Sequence, residues 1–187
     1  MWSAGDASEA SQFVHGLTSA WLPASLLNPD RQKHLADALF AASRHWGTAL
    51  HFNKGLAGAP DEARAAARDT AMNPEVVEAF ALAISGAHSA ASSPDLRGHE
   101  PDLAIARRDA ANIDRAMSEL LRIAPGAGSY YSESNFLQKD WQRSHWGTNY
   151  PRLAAVKRKY DPEGLFIVHH GVGSEQWLAD GFTRVLY

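Results

Sequence analysis

The chain has 187 residues, is 45% hydrophobic and 21% charged, and carries a formal net charge of −3. That is the balance of an ordinary globular protein with room for one real core. With both signs spread along the sequence and no basic stripe, nucleic acid and anionic membrane surfaces are poor partners, and no apolar run approaches the roughly 20 residues that cross a bilayer. The absence of cysteine excludes disulfides, thiolate metal sites and a cysteinyl nucleophile.

Residues 1–20 read as a loosely ordered lead-in, with a short strand near Phe13 to Leu17. The stretch Met1 to Ser11 is small and polar and lacks the basic start and apolar stretch of a secretory signal, which makes the cytoplasm the default location. A first helix is expected from Asn28-Pro29-Asp30, where Asn caps, Pro tolerates the first turn and Asp faces the positive pole. Leu35, Leu39, Ala42 and Trp46 recur at helical spacing, and Gly47 ends the helix. Thr48, Leu50 and Phe52 alternate with their neighbours as a strand does.

Asp61 to Ala71 is alanine-rich and helical in character. Asn73-Pro74-Glu75 repeats the capping order and predicts a second helix with Val77, Phe80 and Ile84 inward, stopped at Ser85-Gly86. Ser89 to Pro101 is a loop by its Ser, Gly and Pro content. Leu103, Ala106, Ala110, Ile113, Met117, Leu120 and Ala124 form one continuous apolar seam, which Pro125-Gly126 closes. Three heptads are too few for a coiled coil, so the seam predicts a long helix packed on a sheet.

Strands are expected at Ser129 to Glu133 and at Leu165 to His169, with a helix over Asn149 to Tyr160 turning Leu153, Val156 and Tyr160 inward. Asp161-Pro162-Glu163-Gly164 has the residue order of a type I turn. Long helices between a few short strands imply an α+β fold, with an antiparallel sheet and helices on one face. Residues 21–187 read as one domain.

Tyr130, on a strand beside a loop, is a half-buried strand aromatic by propensity and a general base if nearby positive charge lowers its pKa. In Trp146-Gly147-Thr148-Asn149-Tyr150, Gly147 lets backbone approach a ligand closely, and Asn149 is a natural helix cap. His169 and His170 would point to opposite faces of a strand and cannot share one metal. None of the nine histidines falls in a zinc-like spacing, so no metal site is expected. Gly171-Val172-Gly173 lacks the third glycine and the βαβ context of a dinucleotide loop. No serine sits in a hydrolase elbow.

From Gly128 the chain reads G-S-Y-Y-S-E-S-N-F, and from Trp141 it reads W-Q-R-S-H-W-G-T-N-Y-P-R-L-A-A-V-K-R-K-Y-D-P-E-G-L-F-I-V-H-H-G-V-G. This run, strongest over 125–177, resembles the C-terminal segment of the berberine-bridge-enzyme-like FAD-linked oxidases of the vanillyl-alcohol-oxidase superfamily. His51 to Ala59 is similar to bacterial, isoamyl-alcohol-oxidase-like members.

The resemblance implies a partial substrate domain that roofs a flavin. It makes Tyr130 the base and places Trp146, Gly147, Asn149, Tyr150 and His169 on the flavin side. Ser132 stands where plant members usually carry Asn. It further implies FAD as cofactor, an alcohol or sugar as the small-molecule substrate, and an FAD-binding domain in cis or in trans. These 187 residues hold neither the histidine nor the cysteine attachment site of that domain, so the chain is expected to be incomplete alone. The alternative is a non-catalytic remnant or subunit that pairs with a partner chain.

Overall fold

The computed structural model describes residues 12–53, 56, 59–178 and 180–185. In chain order its elements are β1 (Gln12–Pro23), α1 (Gln32–Ser43), β2 (Ala49–Phe52), α2 (Asp61–Arg68), α3 (Glu75–Glu78), β3 (Ala79–Ala91), α4 (Leu103–Ile123), α5 (Trp141–Trp146) and α6 (Tyr150–Tyr160). Two compact units result. One draws on Met1–Lys54 and Ala79–Gln138, the other on Gly55–Glu78 and Lys139–Tyr187. The sequence suggested one domain over 21–187. Of the expected lead-in, residues 1–11 lie outside the described residues, and 12–20 belong to β1.

The first unit is an antiparallel sheet in the order β1-β3-β2, with α4 packed against β1 and β3 and α1 packed against α4. Ala20 and Leu22 on β1 pair with Ala83 and Ala81 on β3. Leu26, Leu35, Ala38, Ala42, Ala116, Met117 and Leu120 complete the core. Each large aliphatic chain among them contributes about 1.5–3 kcal/mol by leaving water. The α4 seam is buried at Ala106, Ile113, Met117, Leu120 and Ala124, half-buried at Ala110 and exposed at Leu103 in the first turn, and Asp102 caps the helix by accepting from the Ala104 and Ile105 amides. At its other end the Arg31 guanidinium donates to the Ile123 carbonyl at 2.8 Å, which satisfies one of the helix's free acceptors.

Several expectations are corrected here. Asn28 does not cap α1. Its carbonyl accepts from the Arg31 and Gln32 amides, and the helix starts at Gln32. The helix expected after Asn73 lasts only Glu75–Glu78, and the chain then enters β3. Val77, Phe80 and Ile84 satisfy a helical spacing. The same stretch also alternates large Phe80, Leu82 and Ile84 with small Ala79, Ala81 and Ala83, a period of two. Pairing with β1 selects the strand. Ser129 to Glu133 is not a strand either: the Glu133 amide donates to the Tyr130 carbonyl at 3.0 Å, closing a short 3-10 turn.

The second unit is built from α2, α3, α5, α6 and the segment that follows. The expected strand at Leu165 to His169 is absent. The Asp161 carboxylate accepts from the Leu165 and Phe166 amides, and the Lys157 ammonium donates to the Phe166 carbonyl. Side chains thereby occupy backbone groups that a ladder would use. The turn before it holds as read, with the Gly164 amide donating to the Asp161 carbonyl at 3.1 Å. On α6, Leu153 is half-buried, whereas Val156 and Tyr160 are exposed rather than inward. Among the described residues, no helix is long and apolar enough to cross a membrane.

Candidate functional site

Tyr130 belongs to the first unit. Its approach is pinned to β1 by backbone: the Trp21 amide donates to the Gly128 carbonyl at 2.8 Å, and the Tyr130 amide donates to Ser19 Oγ at 3.0 Å. The Tyr130 ring stands edge-on to the Trp21 indole, with centroids 6.2 Å apart and planes at 61°. It remains 41% exposed, so the phenol is fixed at its base and open at its tip.

Trp146, Gly147, Asn149, Tyr150 and His169 belong to the second unit. Trp146 is the last residue of α5, and Gly147 follows at φ 55°, ψ −139°, a conformation open essentially to glycine alone. A Cβ there would lie 2.6 Å from Asn73 Oδ1. Asn73 is itself buried, with its amide on the Ser144 carbonyl at 2.9 Å and its oxygen on the Glu75 N–H at 3.0 Å. Gly147 thus admits close approach, and the approaching group is Asn73. Asn149 does not cap α6 with its side chain. Its Nδ2 donates instead to the carbonyls of Thr70 at 2.9 Å and Met72 at 2.8 Å.

The Tyr150 hydroxyl donates to Glu175 Oε2 at 2.6 Å and accepts from the Gly173 amide at 3.2 Å. Burial, reinforced by the Glu175 carboxylate, raises its pKa above the ordinary phenol value, so this hydroxyl stays protonated. The Gly171 amide is likewise engaged, on the Val168 carbonyl at 2.9 Å. Both glycine amides of the Gly171-Val172-Gly173 run are therefore committed within the unit, consistent with rejecting it as a phosphate-binding loop.

His169 and His170 do not point apart. His170 takes a positive φ of 57°, uncommon for a residue with a side chain, and its ring stacks on His169 with centroids 3.8 Å apart. It also lies 5.4 Å from the Trp141 ring at an interplanar angle of 14°, and the His145 ring is 5.7 Å away. Burial, then the neighbouring His169 and His145, lowers the pKa of His170 to about 4. Burial also lowers that of His145. Both imidazoles are accordingly neutral near neutral pH.

An open pocket of about 360 Å³ lies here, lined by Trp141, His169, His170, Glu175 and Trp177 among others. Trp141, His145 and Glu175 escaped the sequence reading as site residues, whereas His170 was read with His169 but on the opposite face. The i,i+4 spacing of Trp141 and His145 on one helix was the available signal. Among the described residues, no group of His, Asp and Glu is arranged to hold a metal ion.

Residues 126–173 match the family described as berberine and berberine like. They are a berberine-bridge-type segment of the vanillyl-alcohol-oxidase superfamily. The match falls within the run 125–177 that carried the resemblance. By sequence the chain is 40% identical over 81 residues to the VAO-type flavoprotein oxidase VAO615 of Thermothelomyces thermophilus, covering 43% of this chain and 14% of that protein. It is 46% identical over 61 residues to the FAD-linked oxidoreductase ZEB1 of Gibberella zeae, covering 33% and 11%.

By structure it superposes on the VAO-type flavoprotein MtVAO615 from Myceliophthora thermophila C1 with a TM-score of 0.66 and 28% identity, over 90% of this chain and 30% of that one. MtVAO713 shares the fold, with a TM-score of 0.64 at 17% identity. The chain thus spans less than a third of the length of these relatives.

Proposed function

We propose that this chain is the substrate-side portion of an FAD-linked oxidoreductase that oxidises an alcohol or sugar hydroxyl, working against an FAD-binding portion supplied in cis or in trans. The observation that carries the reading is the likeness to MtVAO615 over nine-tenths of the chain at 28% identity, with Tyr130 inside the berberine-type segment.

The residues fit the ring end of a flavin better than its phosphates. Tyr130 offers a rigidly based, open phenol, and His169, Trp141 and Trp177 line an aromatic pocket. The Gly171 and Gly173 amides, by contrast, are already spent. The diphosphate would therefore be held by the FAD-binding portion. Bound FAD would supply a hydride acceptor. Tyr130, ionised to the phenolate, would accept the substrate hydroxyl proton at its phenolic oxygen. His169 and Trp146 would face the flavin. Gly147, Asn149 and Tyr150 would also stand on the flavin side, with Asn149 and Tyr150 holding the local fold through the bonds described above. Exposed Leu165, Phe166 and Phe182 give the second unit apolar surface for a partner to cover.

The test is a visible absorption spectrum of the purified chain after incubation with FAD and desalting, alone and after co-expression with the flavin-binding portion of a VAO-type relative such as VAO615. A flavin band retained only on co-expression, with turnover lost in Tyr130→Phe, is the expected result. A co-expressed pair that turns over equally well with Tyr130→Phe would remove Tyr130 as the base.

A further inference from the structure

Tyr130 is held by β1 in a way that singles out a residue upstream of the berberine-type segment. Trp21 holds the approach to Tyr130 by its backbone and meets the ring by its side chain. Its backbone N–H holds the Gly128 carbonyl two residues before the tyrosine, and its indole meets the Tyr130 ring edge-on at 6.2 Å. Ser19, the next residue on the same face of the strand, is 4% exposed and accepts the Tyr130 amide.

The indole pays no hydrogen-bonding return for its place. Trp21 Nε1 is buried and has no acceptor among the described residues, and neither does Ser129 Oγ beside Tyr130. Buried polar groups are nearly always satisfied, and local exceptions to good packing practice concentrate where geometry serves something other than stability.

We infer that Trp21, seconded by Ser19, is a positioning residue that fixes the direction of the Tyr130 ring. The inference rests on the reading of Tyr130 as the base for its kinetic consequence, but not for its structural one. A phenol on a turn, open at its tip, would otherwise sample several rotamers. A flat indole against the ring, with the backbone tied at the Gly128 carbonyl and the Tyr130 amide, restricts them. Proton transfer needs that direction, since a small misplacement of a reacting group can cost on the order of a hundredfold in rate.

The chain is labelled with 3-fluorotyrosine and read by fluorine NMR, with the Tyr130 resonance among the five tyrosines assigned by its loss in Tyr130→Phe. In Trp21→Leu the Tyr130 resonance should move toward its position in the denatured chain while the other described tyrosines stay. Trp21→Phe should restore most of the displacement. Ser19→Ala should shift the same resonance alone, and it serves as the test where Trp21→Leu does not fold. A Tyr130 resonance unmoved in the folded variants overturns the inference. So does a general shift of all tyrosines, which would make Trp21 a packing residue only. In the co-expressed pair, Trp21→Leu should lower kcat about tenfold or more with KM little changed. Tyr130→Phe without kinetic effect would sink the base assignment while leaving the NMR result standing.

Discussion

Asn149 reaches back 77 residues to take the Met72 carbonyl at 2.8 Å, and with the same amide it takes the Thr70 carbonyl at 2.9 Å. One side chain therefore ties the start of α6 to the turn that follows α2. Arg152 supports the tie with a 3.0 Å bond to the Thr70 carbonyl and an ion pair to Asp69. Replacement by alanine would leave the Met72 carbonyl without this donor and the Thr70 carbonyl with Arg152 alone. We expect Asn149→Ala to destabilise the chain by about 1–3 kcal/mol, measured by urea unfolding without any flavin. An unchanged unfolding midpoint would mean that the amide matters only to a ligand.

Gly147→Ala combines two faults. The backbone sits where a side chain is strained, and the new Cβ would collide with Asn73 Oδ1. The strain alone is worth about 1–3 kcal/mol. Displacing Asn73 would add the loss of its bonds to Ser144 and Glu75. Thermal unfolding should show a clear fall in Tm. A variant as stable as the parent would indicate that Asn73 yields freely.

His170 and His145 should make stability depend on pH. His170 has a folded pKa lowered to about 4 from 6.5, and burial lowers His145 in the same direction. The unfolded chain binds these protons first, so stability falls as pH drops from about 6.5 toward 4. His170→Asn keeps a residue that tolerates the left-handed conformation and removes one titration. Its Tm-against-pH curve should be flatter over that window, with the residue of the slope left by His145. A parallel curve would exclude His170 as a source.

Asp109 lies buried between Arg108 and His15, with its oxygens 2.9 Å from Arg108 Nη2 and 2.8 Å from His15 Nδ1. The Arg108 hydrogen bond, then that of His15, lowers its pKa below 3.8. Its contribution is therefore complete above about pH 4 and is lost as pH falls through the folded value. Asp109→Asn should lose stability at neutral pH and narrow its difference from the parent in acid. Equal losses at both pH values in urea titrations would contradict the linkage.

Much of the first unit was legible in the chain because its signals are local. The α4 seam needs only 3.6-residue periodicity, and the helix runs over Leu103–Ile123. The turn at Asp161 to Gly164 likewise follows from residue order alone. The misreadings share a cause. Phe80 and Ile84 suit a helix or a strand until β1 supplies a partner. Leu165 to His169 looks extended until Lys157 and Asp161 occupy its backbone groups. Asn149 looks like a helix cap until the carbonyls of Thr70 and Met72 come within reach.

The candidate site divides the same way. Tyr130, Trp146, Gly147, Asn149, Tyr150 and His169 were readable as a motif because a linear pattern preserves residue type and spacing. By itself the sequence determined the α+β class, the long helix and the berberine-type segment, all of which rest on neighbours along the chain. The tertiary structure alone decided that Trp21 stands against Tyr130, that His170 stacks on Trp141 and on His169, and that Asn149 serves the turn after α2. Those contacts join residues far apart in sequence, and their partners exist only after the backbone has closed its long loops.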